Sequence, residues 1–460
     1  MTNYKVTNPA TGQVEKEFPE ATDTEIQQAI GTAADTFSTW SKTDPQERAT
    51  LLNKVADIYE QRKDELAMII TREMGKPIKQ ARGELGIVID IYRYYAKNGP
   101  TYLENEPIED VQSGWAYIQN EPYGVLLGIM PWNFPYYQVA RFAAPNLMIG
   151  NTVLLKHAGI CPESVAAMED IFREAGFPEG AFTKLYASTD QVSDIIIADP
   201  RVQGVSLTGS DGAGAAVAAT AGEYVKKVVL ELGGNDPFLV LDRDILPKAV
   251  KGALTGRMAN AGQACNAAKR IIVLEDVYDE FVEQLSEAVN NLELADPAEE
   301  DTFIGPMSSA SAADGLHEQV QDAISQGATV HAGGDFDTRG GAWYQPTMLT
   351  GITEDMRAYS EELFGPVAMV YKVKDEDEAI KLANDTPYGL SAAVMASDED
   401  HARSVGERIE TGMVYINEPS KTSAELPFGG VKSSGVGREL GRYGMEEFVN
   451  KRLMKFAGKS

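Results

Sequence analysis

The chain has 460 residues, and its 41 Lys and Arg stand against 69 Asp and Glu, giving a formal net charge of −28. Such a charge repels phosphate backbones and anionic surfaces, so neither nucleic acid nor membrane is expected as a partner. The length exceeds what one hydrophobic core supports, which predicts two or three domains.

The cysteine content and the amino-terminal residues bear on the compartment. Two cysteines cannot form a disulfide framework, which fits a reducing environment. The opening MTNYKVTNPATG lacks the basic segment and apolar run of a signal peptide. The longest apolar stretch, 123–132, is too short to span a bilayer. These features predict a cytoplasmic protein.

The amino-terminal region is predicted to be helical. Thr22-x-x-Glu25 is a capping-box pattern, and apolar residues recur at helical spacing from Asp23 to Trp40. A second helix is predicted to begin near Pro45, and its apolar stripe is expected to face the core.

From about residue 115, short apolar runs alternate with helical patterns, and this alternation restarts after residue 237. Alternating strands and helices are typical of parallel α/β sheets, so two such units are expected to adjoin near 230–237. The predicted strands are Tyr123–Met130, Thr152–Lys156, Phe182–Tyr186, Gly204–Leu207, Lys227–Leu232, Phe238–Leu241 and Arg270–Leu274. The predicted helices of this part are Pro162–Ala175, Asp211–Ala221 and Val277–Leu292.

One cysteine has surroundings that would suit a nucleophile. Cys265 lies in NAGQACNAAKR (260–270), where small neighbours would leave its sulfur accessible. A catalytic thiolate also needs a base and donors for the oxyanion that it creates. Because a free cysteine is more often a buried structural residue, Cys265 requires independent support, and Cys161 is predicted to be structural.

Two further segments supply candidates for those missing groups. Asn133, in PWNFPYYQVAR (131–141), could donate its amide to an oxyanion or form an ordinary Asx turn. Glu231 ends an apolar strand before Gly233 and Gly234, where it could act as a general base or be a solvated strand-end carboxylate.

The glycine-containing segment GVSLTGSDGAGAA (204–216) predicts a strand, a turn and a helix amino terminus that could bind phosphate, although it is not the GxGxxG pattern. Lys156 ends a strand, where it could reach a ribose or phosphate or simply be solvated. The four histidines are far apart in sequence and no HExxH or CxxC pattern occurs, so no metal site is predicted.

Taken together, these segments resemble the NAD(P)-dependent aldehyde dehydrogenase superfamily. The resemblance covers nearly the whole chain and rests on motif order. The motifs are PWNFP, the Lys-ended strand 151–156, LTGS, LELGG, GQAC, EELFGPV (361–367), NDTPYGLSAAV (384–394) and LPFGGVKSSGVGRE (426–439).

The resemblance implies a role for each matching residue. Cys265 would attack the aldehyde to give a thiohemiacetal, Asn133 would stabilise the oxyanion, and Glu231 would activate water to hydrolyse the thioester left by hydride transfer. Lys156 and Glu362 would contact ribose, Phe364 would lie beside the nicotinamide ribose, and Gly209 with Ser210 would form the pyrophosphate turn. The implied cofactor contacts are Trp132, Lys156, Gly159, Gly209, Ser210, Leu232, Glu362 and Phe364.

The family fold implies an α/β protein with two Rossmann-like parallel-sheet domains and a small β flap. A cofactor-binding domain would comprise 1–104 and 123–231, with 434–447 returning to it, and 232–433 would form the catalytic domain. The flap, 105–122 with 448–460, would expose strand edges unless a second subunit covered them, so a homodimer or homotetramer is expected.

The substrate segments look most like those of short bacterial succinate-semialdehyde dehydrogenases. Arg141 matches an arginine that grips the substrate carboxylate there, with Thr422 and Phe428 as further substrate contacts. The alternative for Arg141 is a surface arginine paired with a neighbouring Glu.

Several positions depart from that pattern. Ala259 replaces a second arginine, and Glu425 in KTSAE (421–425) stands where relatives have a positive charge. Ala267 stands where some relatives have a second active-site cysteine that serves as a redox switch partner. Phe142 occupies the place of a lysine proposed for proton relay, which puts relay through Glu439 in question.

Gly159 bears on the cofactor because NAD-preferring members often have a Glu there, which repels a 2′-phosphate. The predicted cofactor is therefore NADP, with NAD as a poorer alternative. The predicted reaction is oxidation of succinate semialdehyde to succinate. The alternatives are another small aliphatic or phosphorylated aldehyde, and a catalytically silent cofactor-binding protein.

Overall fold

The computed structural model describes residues 4–457, and its elements follow the predicted alternation. The helices are α1 (Asp23–Trp40), α2 (Pro45–Gln61), α3 (Lys63–Met74), α4 (Ile78–Tyr102), α5 (Pro135–Ile149), α6 (Pro162–Ala175), α7 (Thr189–Gln191), α8 (Asp211–Glu223), α9 (Leu246–Met258), α10 (Glu275–Asn290), α11 (Ala310–Ser325), α12 (Arg357–Ser360), α13 (Glu376–Asn384), α14 (Glu399–Gly406) and α15 (Gly441–Glu446).

The strands are shorter and include several two-residue ladders. They are β1 (Tyr4–Thr7), β2 (Val14–Phe18), β3 (Glu106–Ile108), β4 (Trp115–Pro122), β5 (Val125–Met130), β6 (Thr152–His157), β7 (Phe182–Leu185), β8 (Val202–Thr208), β9 (Lys227–Glu231), β10 (Pro237–Val240), β11 (Arg270–Leu274), β12 (Thr329–Ala332), β13 (Thr347–Thr350), β14 (Val367–Val373), β15 (Tyr388–Gly389), β16 (Ser391–Met395), β17 (Met413–Ile416), β18 (Val431–Lys432), β19 (Gly435–Val436) and β20 (Val449–Phe456).

The predicted boundaries of the first two helices are confirmed. In α1 the Thr22 hydroxyl accepts from the Glu25 N–H while the Glu25 carboxylate accepts from the Thr22 N–H, which is the full capping box. Asp44 caps α2, with Pro45 at its first position. Such a cap stabilises a helix by about 1 kcal/mol, so these residues fix where each helix starts.

The first large sheet has the strand order β19-β9-β8-β5-β6-β7. Its strands pair in parallel, except that β19 runs antiparallel to β9. Both faces are covered by helices: Leu126 packs into one apolar core, whereas its neighbours Val125 and Leu127 pack into another. Burial on both faces explains why these strands appear in sequence as continuous apolar runs.

One predicted strand of this sheet starts too early. The sequence predicted a strand from Tyr123, but Gly124 has φ of +142° and separates β4 from β5. A side chain at Gly124 would also meet Gln203, since an added Cβ would lie 2.6 Å from its Cγ. The glycine therefore allows the chain to turn from the small sheet into the large one.

The second large sheet has the order β12-β13-β14-β11-β10-β16-β17 and is parallel apart from the edge strand β12. It is also covered on both faces. Ile272 of β11 packs with α11, α13 and α14, while Ile271 and Val273 pack with α9 and α10. The prediction of two parallel-sheet units is confirmed.

A three-stranded antiparallel sheet of order β20-β4-β3 lies within the ranges predicted for the flap. Residues 458–460 of the predicted flap lie outside the described residues. Trp115 is 53% exposed and stacks on Phe456 with ring centroids 3.9 Å apart, and Leu453 is 57% exposed. The sheet thus exposes apolar side chains to solvent in the single chain.

Across residues 4–457, no helix combines the length and the apolar character that crossing a bilayer requires.

Candidate active site

The site lies where the first sheet ends against the second. The carboxyl ends of parallel strands meet at one edge of a sheet, and ligands bind at that edge in open α/β folds. Asn133 follows β5, and Lys156 is the penultimate residue of β6. Gly209 follows β8, and Glu231 is the last residue of β9. The alternation that the sequence shows therefore gathers four separately predicted residues at one edge.

The cysteine comes from the other sheet, on the loop before β11. The loop begins with a 3₁₀ turn in which Asn260 and Ala261 have φ of +54° and +51°. Left-handed backbone costs non-glycine residues about 1–2 kcal/mol each, so contacts must hold it in place. Asn260 provides them by donating its side-chain amide to the carbonyls of Asn133 and Gln263, at 3.0 and 3.2 Å.

The predicted oxyanion group reaches this loop. Asn133 is buried, and its Nδ2 donates to the Gln263 carbonyl at 3.1 Å, two residues before Cys265. Because an amide carries two N–H groups, one remains for a substrate oxygen. The Asx-turn alternative does not describe this contact, which spans 130 residues of sequence.

Cys265 is partly exposed and lines a cavity of about 1030 Å³. Burial raises the pKa of its thiol to about 12, and the positive charges of Arg141 and Lys269 oppose that rise. The thiol is therefore protonated at neutral pH in the ligand-free protein, and it needs a base to become a nucleophile.

The predicted base is poised to take a proton. Glu231 is 2% exposed, and neither of its carboxylate oxygens has a hydrogen-bond donor among residues 4–457. Burial raises the pKa of this carboxyl well above its ordinary value, with Arg141 opposing. Gly429 approaches closely, since a Cβ there would lie 2.7 Å from Oε1. A carboxyl kept uncompensated in this way is typical of acid–base groups.

Arg141 is placed differently from the sequence expectation. It is fully buried, forms an ion pair with Glu439, and donates to Tyr137 Oη and Thr208 Oγ1 at 3.3 and 3.2 Å. Its guanidinium lies 4.4 Å from the centre of the Phe428 ring. Arg141 thus has a Glu partner, but it is not the surface arginine of the alternative, because it is fully buried. Its grip on a substrate carboxylate stays a prediction.

The other two predicted substrate contacts, Thr422 and Phe428, both line the cavity with Cys265. The neighbouring Lys421 and, from α4, Lys79 line it as well, and neither has a carboxylate partner within 4.0 Å among the described residues. Neither lysine was predicted to be a site residue, because an exposed lysine carries no sequence pattern of its own.

The predicted nucleotide contacts form a second group at the same sheet edge. Ser210 caps α8 by accepting from the Ala213 N–H at 3.4 Å, and Gly209 donates to the Glu231 carbonyl at 3.0 Å. The remaining N–H groups of this helix start are suited to a phosphate. Burial lowers the pKa of Lys156, which has no ion-pair partner in residues 4–457, so an anionic or hydroxyl ligand would suit it.

The remaining predicted contacts surround this position. Trp132 and Phe364 meet edge to face with centroids 5.8 Å apart. Leu232 packs so closely on Gly214 that a Cβ there would lie 2.5 Å away. Gly159 accepts from the Lys5 N–H at 3.0 Å and carries no side chain that could repel a phosphate.

Glu362 has a partner that the sequence analysis missed. Lys269 is fully buried and lies 2.9 Å from Glu362 Oε1, and it also donates to the carbonyls of the cysteine loop. A lysine immediately before a buried strand was the available signal, because a charge at such a place needs a partner. No group of three or more potential metal ligands occurs within residues 4–457.

Comparison with known proteins gives a consistent result. Residues 1–454 match the model of the aldehyde dehydrogenase family. A succinate-semialdehyde dehydrogenase [NADP(+)] of Deinococcus radiodurans is 52% identical over 454 residues, 98% of this chain and 94% of that protein. One from Mycobacterium ulcerans is 44% identical over 96% and 97%. A crystal structure of succinic semialdehyde dehydrogenase from Streptococcus pyogenes with NADP+ superposes with a TM-score of 0.97 at 41% identity, covering 99% and 100%.

Proposed function

Since this chain belongs to the aldehyde dehydrogenase family, we propose that it oxidises succinate semialdehyde to succinate with NADP as electron acceptor and NAD as a poorer one. One observation carries the reaction class: Asn133 reaches the loop of Cys265, while Glu231 lies buried and neither of its carboxylate oxygens has a donor within residues 4–457. The relatives named for succinate semialdehyde and NADP support the choice of substrate and cofactor.

The first half-reaction forms a covalent adduct. The Cys265 thiol gives its proton to a base, for which we propose Glu231, and the sulfur attacks the aldehyde carbon. The carbonyl oxygen becomes an oxyanion held by the Asn133 amide and the Cys265 N–H. A preorganised donor of this kind contributes about 3–4 kcal/mol to the transition state. NADP bound at this site would supply the hydride acceptor, and collapse of the oxyanion leaves a thioester on Cys265.

The second half-reaction releases the acid. Glu231 removes a proton from a water molecule, which attacks the thioester carbon, and the Cys265 sulfur departs with a proton. One aldehyde and one water become one carboxylic acid, and the two hydrogens lost are one hydride, which carries two electrons, and one proton that Glu231 releases to solvent. Burial raises the pKa of the Glu231 carboxyl above its ordinary value, which makes its carboxylate form a stronger base towards water.

The residues that would hold NADP are Trp132, Lys156, Gly159, Gly209, Ser210, Leu232, Glu362 and Phe364. Lys156 lacks a carboxylate partner among the described residues, and Gly159 places no negative charge beside it. Both features suit a 2′-phosphate better than a glutamate there would. His157 is buried and its Nε2 donates to the Pro135 carbonyl, 3.0 Å away, so it is not counted among the phosphate contacts.

A panel of aldehydes tests the substrate, with NADP and NAD in parallel. Succinate semialdehyde with NADP should give the highest kcat/KM. A second candidate, an uncharged small aliphatic aldehyde, is favoured by the ion pair that engages Arg141. A phosphorylated small aldehyde is the other alternative in the panel. Equal efficiency with butanal would reject the carboxylate preference, and no NADPH from any aldehyde with cofactor still bound would indicate a silent binding protein.

We extend the proposal to the organisation of the chain. The cofactor-binding domain is 1–104 and 123–231 with 434–447, the catalytic domain is 232–433, and the flap is 105–122 with 448–460. The return of β19 to the first sheet and the exposed Trp115 and Leu453 support this division and a homodimer or homotetramer. Two free thiols fit a cytoplasmic location. Sedimentation analysis of wild type and a Trp115→Glu variant tests the assembly.

A further inference from the structure

Lys269 stands at the junction of the cysteine loop and the cofactor site. Its side chain is fully buried, and Nζ donates to the Ala264 carbonyl at 2.9 Å and to the Cys265 carbonyl at 2.6 Å. The same atom lies 2.9 Å from Glu362 Oε1. A buried ammonium with three acceptors is fully satisfied, so this geometry is specific rather than incidental.

The contact with Ala264 fixes a group that the reaction needs. The Ala264 carbonyl and the Cys265 N–H belong to one trans peptide unit and point in opposite directions. By holding that carbonyl, Lys269 sets the direction in which the Cys265 N–H points. This N–H is the backbone donor for the oxyanion in the proposed reaction.

A second contact ties the loop to the cofactor side. Glu362 Oε1, the ion-pair partner of Lys269, also accepts from the Gly234 N–H at 3.3 Å. Gly234 lies against the Cys265 carbonyl, where a Cβ would be 2.5 Å from the oxygen. Lys269, Glu362 and Gly234 therefore enclose the carbonyl side of the nucleophile.

We propose that Lys269 is a positioning residue that orients the Cys265 peptide for the oxyanion and, together with Glu362, sets the charge beside the thiol. The proposal rests on the proposed function, in which Cys265 is the nucleophile and Glu362 contacts the ribose. Lys269 touches neither substrate nor the sulfur in this role. It acts through the loop carbonyls and through its charge.

The effects of Lys269 and Glu362 on the Cys265 thiol can be measured separately, because their charges act on it in opposite directions. Arg141 and Lys269 favour the thiolate of Cys265, whereas Glu362 and Asp236 disfavour it. Tyr137 of α5 also faces the thiol. Removing Lys269 and removing the charge of Glu362 must therefore move thiol reactivity in opposite directions, although both changes break the same ion pair.

The test is the rate at which iodoacetamide alkylates Cys265 in ligand-free protein between pH 7 and 9. Lys269→Met should slow alkylation and Glu362→Gln should accelerate it, each by roughly three- to tenfold, because a tenfold change in thiolate corresponds to one pKa unit. Lys248→Met, at an exposed lysine of α9, is the matched control and should leave the rate unchanged. A change in the same direction for both variants, or in neither, would overturn the proposal.

Steady-state kinetics test the orientation of the peptide. Lys269→Met should lower kcat by about 10²-fold with a much smaller change in KM, as expected when an oxyanion donor is misplaced. Lys269→Arg keeps the charge and should recover part of that loss. A fall in thermal stability with kcat intact would show that Lys269 is only structural.

If Lys269→Met does not fold, the alkylation rate of Glu362→Gln and the steady-state kinetics of Lys269→Arg test the same proposal. Alkylation needs neither aldehyde nor NADP, so its result does not depend on the proposed reaction. An unaltered alkylation pattern with succinate semialdehyde still oxidised would reject only the role of Lys269. The predicted opposite effects in a protein that oxidises no aldehyde would reject only the proposed function.

Discussion

The two cysteines of this chain have the same thiol group but lie in different surroundings. Cys161 is fully buried at the start of α6, its sulfur 4.0 Å from the Trp132 carbonyl oxygen, and burial raises its pKa well above the ordinary value. Cys265 also has a raised pKa, about 12, yet it is partly exposed and opens onto the cavity. A raised thiol pKa therefore does not separate a structural cysteine from a nucleophile.

What separates them is the neighbourhood beyond the sulfur. Around Cys265 the chain supplies an amide donor, two cations (Arg141 and Lys269) and a buried carboxyl that has no hydrogen-bond donor among residues 4–457. Around Cys161 the carboxylates of Glu73 and Glu84 oppose its thiolate, and the charge of Lys76, which favours it, is paired with Glu84. Room and donors for a developing oxyanion, rather than acidity at rest, therefore distinguish the proposed reactive site.

The largest contrast is expected between alanine variants of the two cysteines. Cys265→Ala should reduce NADPH formation by on the order of 10⁵-fold, since the nucleophile is gone. Cys161→Ala should keep kcat within about threefold of wild type, because it leaves every group around Cys265 in place. Aldehyde-dependent absorbance at 340 nm measures both. Activity that survives in Cys265→Ala would contradict the mechanism.

Removal of the base should separate the two half-reactions at Cys265. Glu231→Gln is expected to lower steady-state turnover by about 10²–10⁴-fold, the range for a positioned acid–base group. If another route removes the thiol proton, rapid mixing should still show a burst of one NADPH per site. Absence of the burst would assign Glu231 to thiol activation as well as to deacylation.

A variant at Arg141 tests the contrast between the two cysteines, because the charge of Arg141 favours the thiolate of Cys265 and not that of Cys161. Arg141→Leu leaves Glu439 buried without its partner, so the free energy of unfolding in urea should fall by about 3–5 kcal/mol. KM for succinate semialdehyde should rise at least about tenfold, the value of one charge-assisted contact, with KM for butanal little changed.

The control for that experiment is the double variant with Glu439→Gln. It removes the orphaned charge and should recover most of the stability while KM for succinate semialdehyde stays high. An unchanged KM in Arg141→Leu would restrict Arg141 to its ion pair with Glu439 and end its role as the carboxylate anchor.

The pH dependence of alkylation gives a smaller but direct comparison. Because the pKa of Cys265 is raised to about 12, its thiolate fraction is expected to rise about tenfold per pH unit from 7 to 9. Cys161 should stay unlabelled in the folded protein over this range, since it is fully buried. Mass spectrometry of peptides measures each site. A plateau below pH 8 would contradict the raised pKa of Cys265.

The smallest effect is expected on stability at the structural cysteine. Cys161→Ala removes one buried sulfur and should cost about 1–2 kcal/mol of unfolding free energy, the lower end for truncations in a core. Urea denaturation of wild type and Cys161→Ser, which adds a hydroxyl to the same site, provides the control. No loss of stability in either variant would show that the site can adapt to a smaller side chain.

Much of the fold could be predicted because its signals are local. The capping box at Thr22 fixed the start of α1, and fully apolar runs marked the buried parallel strands. The start of β5 was missed because it depends on Gly124, which has a positive φ and lies against the side chain of Gln203. A boundary set by a neighbour 79 residues further along leaves no local pattern.

The candidate site also has residues that could be predicted from the sequence and contacts that could not. Asn133, Glu231 and Cys265 were identified from motif order, and the structure brings the loops that carry the first and last together. The partners of Arg141 and the three contacts of Lys269 were not foreseen. A charged residue in sequence shows neither how deeply it is buried nor which of many carboxylates will be near it.

The sequence by itself determined the alternation of strands and helices and the family, and it supplied the candidates for the reacting groups, because spacing and motif order express these directly. Only the tertiary structure decided that Arg141 pairs with Glu439 and that Lys269 joins the Cys265 loop to Glu362. The physical reason is that charges buried by packing must find partners within a few ångströms, and those distances are set by how the two sheets meet.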